Sequence, residues 1–120
     1  YLENDDLCLR MKNKKEKVYV YKKALINHMG GKAVDEKYHN ELEFSRNWHW
    51  NWSKFYFRKK HYGFLNAFFF SFPTFIKSLI KIFFYLIIKN KLKSKLYFLR
   101  ASGILNAFLN KDSWYRPKID

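Results

Sequence analysis

The chain has 120 residues, a formal net charge of +14 and an aromatic content of 22%. That length is enough for one domain with a modest core. A lone cysteine, Cys8, excludes an internal disulfide and suits a reducing compartment. A basic, aromatic-rich chain calls for a polyanionic partner, either nucleic acid or an anionic membrane face.

Glu3-Asn4-Asp5-Asp6-Leu7-Cys8-Leu9-Arg10 opens the chain with three carboxylates in four positions. Asp5 or Asp6 can cap a helix running to about Lys15, with Leu7, Cys8 and Met11 on its inner face. The early acids suit the positive helix start, and Lys12, Lys14, Lys15 and Lys17 its negative end. Val18-Tyr19-Val20-Tyr21 is β-branched and aromatic, which predicts a strand. Ala24 to His28 reads as a second short strand or extended segment, broken by Gly30-Gly31. A polar, mobile loop is expected from there to about Glu36.

From about Tyr38 to Tyr62 apolar residues recur at helical spacing, with basic residues between them, and Gly63 interrupts the pattern. Phe64 to Ile88 is apolar and nominally long enough, at roughly 25 residues, to cross a bilayer. Pro73 falls inside it. Asn66, Ser71, Thr74, Lys77, Ser78, Lys81, Tyr85 and Lys89 fall near one side of a helical wheel. Centring two lysines in hydrocarbon would cost about 2.5–3.5 kcal/mol each. A helix lying in the membrane interface is therefore expected, with a hairpin broken at Pro73 as the weaker alternative. Lys89, Lys91, Lys93 and Lys95 then alternate along a basic stretch suited to anionic headgroups. Leu96 to Leu109 reads as a last helix, and a tail with Trp114, Tyr115 and Pro117 follows.

Taken alone, acids at a helix start are usually caps and dipole partners. A single histidine at a strand end is usually structural, and Glu43 with Arg46 three residues on is an ordinary helix pair. The combination is less ordinary. Glu3 to Arg10, a basic helix, a strand and Ala24-x-x-x-His28-x-Gly30-Gly31 together resemble the end of the catalytic domain of family 2 glycosyltransferases, especially the rhamnosyltransferase-like branch. Arg46-Asn47, Lys59-Lys60-His61-Tyr62-Gly63 and Trp114-Tyr115-Arg116-Pro117 extend the resemblance over nearly the whole chain.

The resemblance implies an α/β fragment, mostly helical. Residues 1–37 would end a GT-A, Rossmann-like catalytic domain whose nucleotide-binding half precedes Tyr1. Residues 38–120 would form a helical extension with interfacial membrane helices at about 64–88 and 96–109. The implied reaction moves a sugar from a nucleotide-sugar donor to the hydroxyl of a lipid-linked or polysaccharide acceptor in cell-envelope glycan synthesis. A deoxysugar such as rhamnose fits the branch, and the cytoplasmic face of the inner membrane fits as the location.

Such a reaction needs a carboxylate general base and stabilisation of the leaving diphosphate by a divalent metal, Mg or Mn. The family places the base where this chain has Asn4, which cannot take a proton. Glu3 is then the first candidate base and Asp6 the second, with Asp5 also available. The resemblance places His28 at the metal and diphosphate and Arg46 at the diphosphate, and puts the main metal motif upstream. A nucleic-acid-binding module is the rival from another class, supported by charge and interleaved aromatics. It is disfavoured by the apolar run and the lack of any RNA or DNA motif. A membrane-surface adaptor without catalysis is the other rival.

Overall fold

In a computed structural model, which describes residues 1–27 and 35–118, helix is the only regular secondary structure among the described residues. The order is α1 (Glu3–Asn13), a 3-10 turn (Glu36–Tyr38), α2 (His39–Tyr62), α3 (Phe64–Ile87) and α4 (Lys91–Phe108). Helices α2, α3 and α4 each pack against the other two.

One residue separates α2 from α3. Gly63 takes a φ of 85°, and its N–H closes the last turn of α2 on the Lys59 carbonyl at 3.2 Å. An L side chain is disfavoured at that φ, so the glycine permits the reversal. Helix α3 continues through Pro73, so the hairpin broken there, the weaker alternative, does not form. The cost is the helical hydrogen bond that proline cannot donate. Between α3 and α4 the chain turns at Lys89, with φ 56°, and Asn90 caps α4 by accepting from the Lys93 N–H at 3.0 Å. Helix α4 thus begins at Lys91, earlier than the expected Leu96, because the alternating lysines lie in the turn and the first helical turn.

Two clusters form the core. Phe55, Ala67, Ile104 and Ala107 make one; Phe44, Trp48 and Leu99 make the other, and Trp52 packs against both. Trp48 is fully buried and donates its indole N–H to Ser102 Oγ on α4 at 3.2 Å. The segment after α4 folds back over it, with the Tyr115 ring stacked 6.0 Å from Trp48. Helices α2 and α4 touch closely at Gly103, where an added Cβ would lie 2.5 Å from the Trp48 carbonyl oxygen.

Helix α3 is built inside out. Its buried residues are Ala67, Ser71 and Ser78, while Phe69, Ile80, Phe83, Leu86 and Ile87 are exposed. Of the polar stripe read from the sequence, Ser71 and Ser78 lie buried at the helix contact, while Asn66, Thr74, Lys77 and Lys81 stay exposed. Ser78 donates to the Thr74 carbonyl at 2.7 Å, Asn66 accepts from Arg58, and Lys81 donates to the Tyr97 hydroxyl on α4. Small residues let the helix backbones approach, and the large apolar groups are left outside.

The sequence-based reading of an α/β fragment holds for its helical part and not for its strands. Val18 to Tyr21 is exposed and has no regular structure, and residues 24–27 form no strand. β-propensity is realised only on a paired, half-buried surface, and no partner strand lies among the described residues. His28, Gly30 and Gly31 lie outside the described residues. Helix α1 also differs from expectation. Its N-cap is Leu2 with φ 65°, so Asp5 and Asp6 sit inside the first turn instead of capping it. Leu7 and Cys8 are exposed, and α1 buries no residue.

Candidate functional site

Helix α1 buries no residue fully, and ion pairs tie it to α2. Asp6 accepts at Oδ1 from Lys60 Nζ at 2.7 Å and from His61 Nε2 at 2.6 Å, while Arg10 Nε lies 3.0 Å from Oδ2. Lys60 and His61 sit on the last turn of α2, and the helix places both within reach of one carboxylate. The hydrogen bonds from Lys60 and then His61 favour the ionised form and hold the Asp6 carboxyl down at about 2, against an ordinary 3.8. Because the folded value is depressed, this contribution to docking is complete above the ordinary value and fades as pH falls toward 2. Acidification from about pH 4 to about pH 2 is therefore expected to release α1. Protection of the α1 amides against hydrogen exchange, corrected for intrinsic rates, checks this. Asp6→Asn should abolish that pH dependence.

The docked helix start and the middle of α2 enclose an open cleft of about 330 Å³. Glu3, Asp6, His49, Trp52, Tyr56 and Lys60 are among its walls. Trp52 and Tyr56 stack with ring centroids 5.0 Å apart and planes 11° from parallel, and Tyr1 covers the far end over His49 and Trp50. His49 is fixed by donating from Nε2 to the Tyr115 carbonyl at 2.9 Å. Glu3 is exposed. A backbone hydrogen bond at the helix start lowers its pKa below the ordinary carboxylate range.

The structure thus brings Glu3 and Asp6 to one cleft. Asp5 is exposed. Arg46 pairs with Glu43 at 3.0 Å, as an ordinary helix pair would, and lines a separate hollow with Tyr1, Asn47 and Trp50. It stands about 21 Å along α2 from Lys60, at 1.5 Å per residue. His28, the expected metal and diphosphate residue, lies outside the described residues. No group of three or more His, Cys, Asp and Glu side chains suited to a metal occurs among the described residues. The described carboxylates therefore do not supply the donor set that Mg or Mn requires, and Asp6 is committed to Lys60, His61 and Arg10.

Sequence reasoning missed the roles of Lys60, His61, Trp52 and Tyr56. The signal available was electrostatic complementarity: a Lys-His pair closing an aromatic helix, opposite in sign to an acidic opening 54 residues away. Comparison of the chain with protein-family models, curated proteins and solved structures found no match.

Proposed function

We propose that this chain is the C-terminal part of a family 2, GT-A fold glycosyltransferase. It would use a nucleotide-sugar donor and a lipid-linked or glycan acceptor in cell-envelope glycan synthesis, at the cytoplasmic face of the inner membrane. The observation that carries the reading is the shared cleft: Glu3 and Asp6 beside the stacked Trp52 and Tyr56. Carboxylates accept hydrogen bonds from sugar hydroxyls, and flat aromatic faces pack against the apolar faces of sugar rings.

In this reading Glu3 takes the proton of the acceptor hydroxyl as its oxygen attacks the anomeric carbon. The bond from that carbon to the diphosphate breaks, and the nucleoside diphosphate leaves with the electron pair. Asp6 serves as a positioning residue, because its lone pairs are engaged by Lys60, His61 and Arg10.

The outer face of α3 supports a membrane-seated acceptor. The helix has 24 residues with a mean hydropathy of 1.5, and 17% of that apolar window is buried. By length and composition it could cross a bilayer. A crossing would draw the helices packed on it into hydrocarbon, with Arg58, Lys95 and Arg100, at about 2.5–3.5 kcal/mol per charge. Lying in the interface keeps those charges wet and buries the aromatic face.

The test is sugar transfer in membranes from cells expressing the complete gene, supplied with a panel of radiolabelled nucleotide sugars. At least one donor should label an organic-extractable lipid or a glycan in excess of membranes lacking the protein. Equal labelling with and without the protein across the panel would contradict the reading.

A further inference from the structure

At the junction of α3 and α4, Tyr85 and Tyr97 stack with centroids 5.5 Å apart and planes 8° from parallel. Three cations surround this pair. Lys81 Nζ lies 4.7 Å from the Tyr97 ring centroid and donates to its hydroxyl at 2.9 Å. Lys93 Nζ stands 5.4 Å over Tyr85, and the Arg100 guanidinium 4.9 Å over Tyr97.

None of the three pairs with a carboxylate among the described residues; Lys95, two residues beyond Lys93, takes Glu41 instead. Arg100 uses Nε on Asn47 Oδ1 at 2.6 Å, which fixes its plane and leaves four of its five N–H donors for other acceptors. The Lys81 hydrogen bond also holds the Tyr97 phenol below its ordinary range. Lys81 and Arg100 stand 4.7 and 4.9 Å from the same Tyr97 centroid, and an anion beside them relieves the repulsion between these two like charges.

We infer that Lys81, Lys93 and Arg100 form a binding site for the phosphate of a membrane lipid. Phosphate chemistry follows from the donors: a planar guanidinium and two ammonium groups match an oxyanion with several acceptor oxygens. The lipid source follows from what surrounds them. Ile80, Phe83, Phe84 and Ile87 on α3 and Leu92 and Phe98 on α4 are exposed around the same junction. Acyl chains against those side chains would set a headgroup phosphate at the level of the tyrosine pair, the depth aromatic hydroxyls favour. The inference rests on the reading of α3 as membrane-facing and adds to it a defined headgroup site.

Co-sedimentation of the 120-residue chain with vesicles tests it, using pure phosphatidylcholine and a mixture containing one-fifth phosphatidylglycerol. Lys81→Gln with Lys93→Gln removes two charges from the site; Lys14→Gln with Lys15→Gln removes two from the end of α1 as a matched control. Circular dichroism verifies that each variant keeps its helix content, and Arg100 stays in place because it also holds Asn47. The site variant should bind anionic vesicles about 30-fold more weakly than the parent, and the control less than about threefold.

Equal losses in both variants would overturn the site and leave only bulk attraction. Binding to neutral and anionic vesicles alike, unchanged in the site variant, would overturn the site while sparing the membrane-facing reading. No vesicle binding at all would overturn both. Calorimetric binding of inorganic pyrophosphate that the site variant loses, with vesicle binding unaltered, would reassign the cluster to a soluble phosphate and overturn the lipid assignment.

Discussion

Trp48→Ala is expected to destabilise the helical unit by about 3–5 kcal/mol, the usual cost of emptying a large aromatic site in a packed core. The side chain is fully buried, and three kinds of contact end on it. It packs with Phe44 and Leu99 across α2 and α4, its indole N–H donates to Ser102, and Trp114 and Tyr115 of the returning tail lie against its ring. Alanine removes the first and third and leaves the second without its donor. Native domains hold only about 5–15 kcal/mol in reserve, so this loss is a large fraction of the total. Urea unfolding in detergent micelles, followed by circular dichroism, measures it. Trp50→Ala is the control, since Trp50 is 40% exposed and should shift the midpoint little. Gly103→Val is the complementary probe: a Cβ placed 2.5 Å from a backbone oxygen cannot be relieved by a rotamer change. Overpacking there should cost about 1–3 kcal/mol. Equal midpoints for Trp48→Ala and Trp50→Ala would contradict the packing described.

The second large effect follows from the proposed sugar transfer. On that proposal Glu3→Gln lowers kcat about 100- to 10,000-fold, the range lost with a general base, while KM changes little. Gln keeps the shape and the hydrogen-bonding reach of Glu and loses only the ability to accept a proton. Asp6→Asn should behave differently. Lys60 and His61 both hydrogen-bond Asp6 Oδ1 and Arg10 pairs with Oδ2, so neither oxygen is free to take a proton from the acceptor. Replacement of Asp6 undocks α1, raises KM, lowers kcat and abolishes hydrogen-exchange protection of residues 3–13 together. Lys60→Gln should reproduce the Asp6→Asn pattern in milder form, since His61 and Arg10 remain on the carboxylate. The opposite pattern, a chemical defect in Asp6→Asn and a benign Glu3→Gln, would mean that Asp6 is the base and Glu3 is not.

The helices were legible in the sequence because local signals agree on them. Apolar residues at helical spacing marked α2, Gly63 marked its end, and α3 was visible as an apolar run of about the length the structure shows. Strand propensity misled at Val18 to Tyr21 because it is redeemed only by a partner, and the described chain offers none. The wheel of α3 displayed its polar side without saying where that side points. In water a serine and lysine stripe faces outward, whereas in this fold Ser71 and Ser78 lie at the helix contact and Lys81 reaches Tyr97. The start of α4 was hidden because lysines on alternate residues imitate an extended segment, while the informative residue was Asn90.

The candidate site was half legible. An acidic knot could be named from sequence, and Glu3 and Asp6 do share a cleft. Which basic residues close on it could not be read, because Lys60 and His61 are 54 and 55 residues away and only the fold returns α2 to that point. Arg46 illustrates the opposite case. Its chemistry suits a diphosphate, yet three residues earlier Glu43 supplies a partner and the side chain takes it.

The proposed function holds that the helical unit lies on a lipid surface with α3 facing the membrane and the Glu3–Asp6 cleft facing water. The most direct measurement places an environment-sensitive fluorophore on a single cysteine, in a Cys8→Ser background, at position 83 on the outer face of α3 or at position 113 on the rim of the cleft. With anionic vesicles present, brominated acyl chains should quench the label at 83 and aqueous iodide should quench the label at 113. Iodide quenching of both labels to the same extent, with no effect of brominated lipid at 83, would contradict that claim.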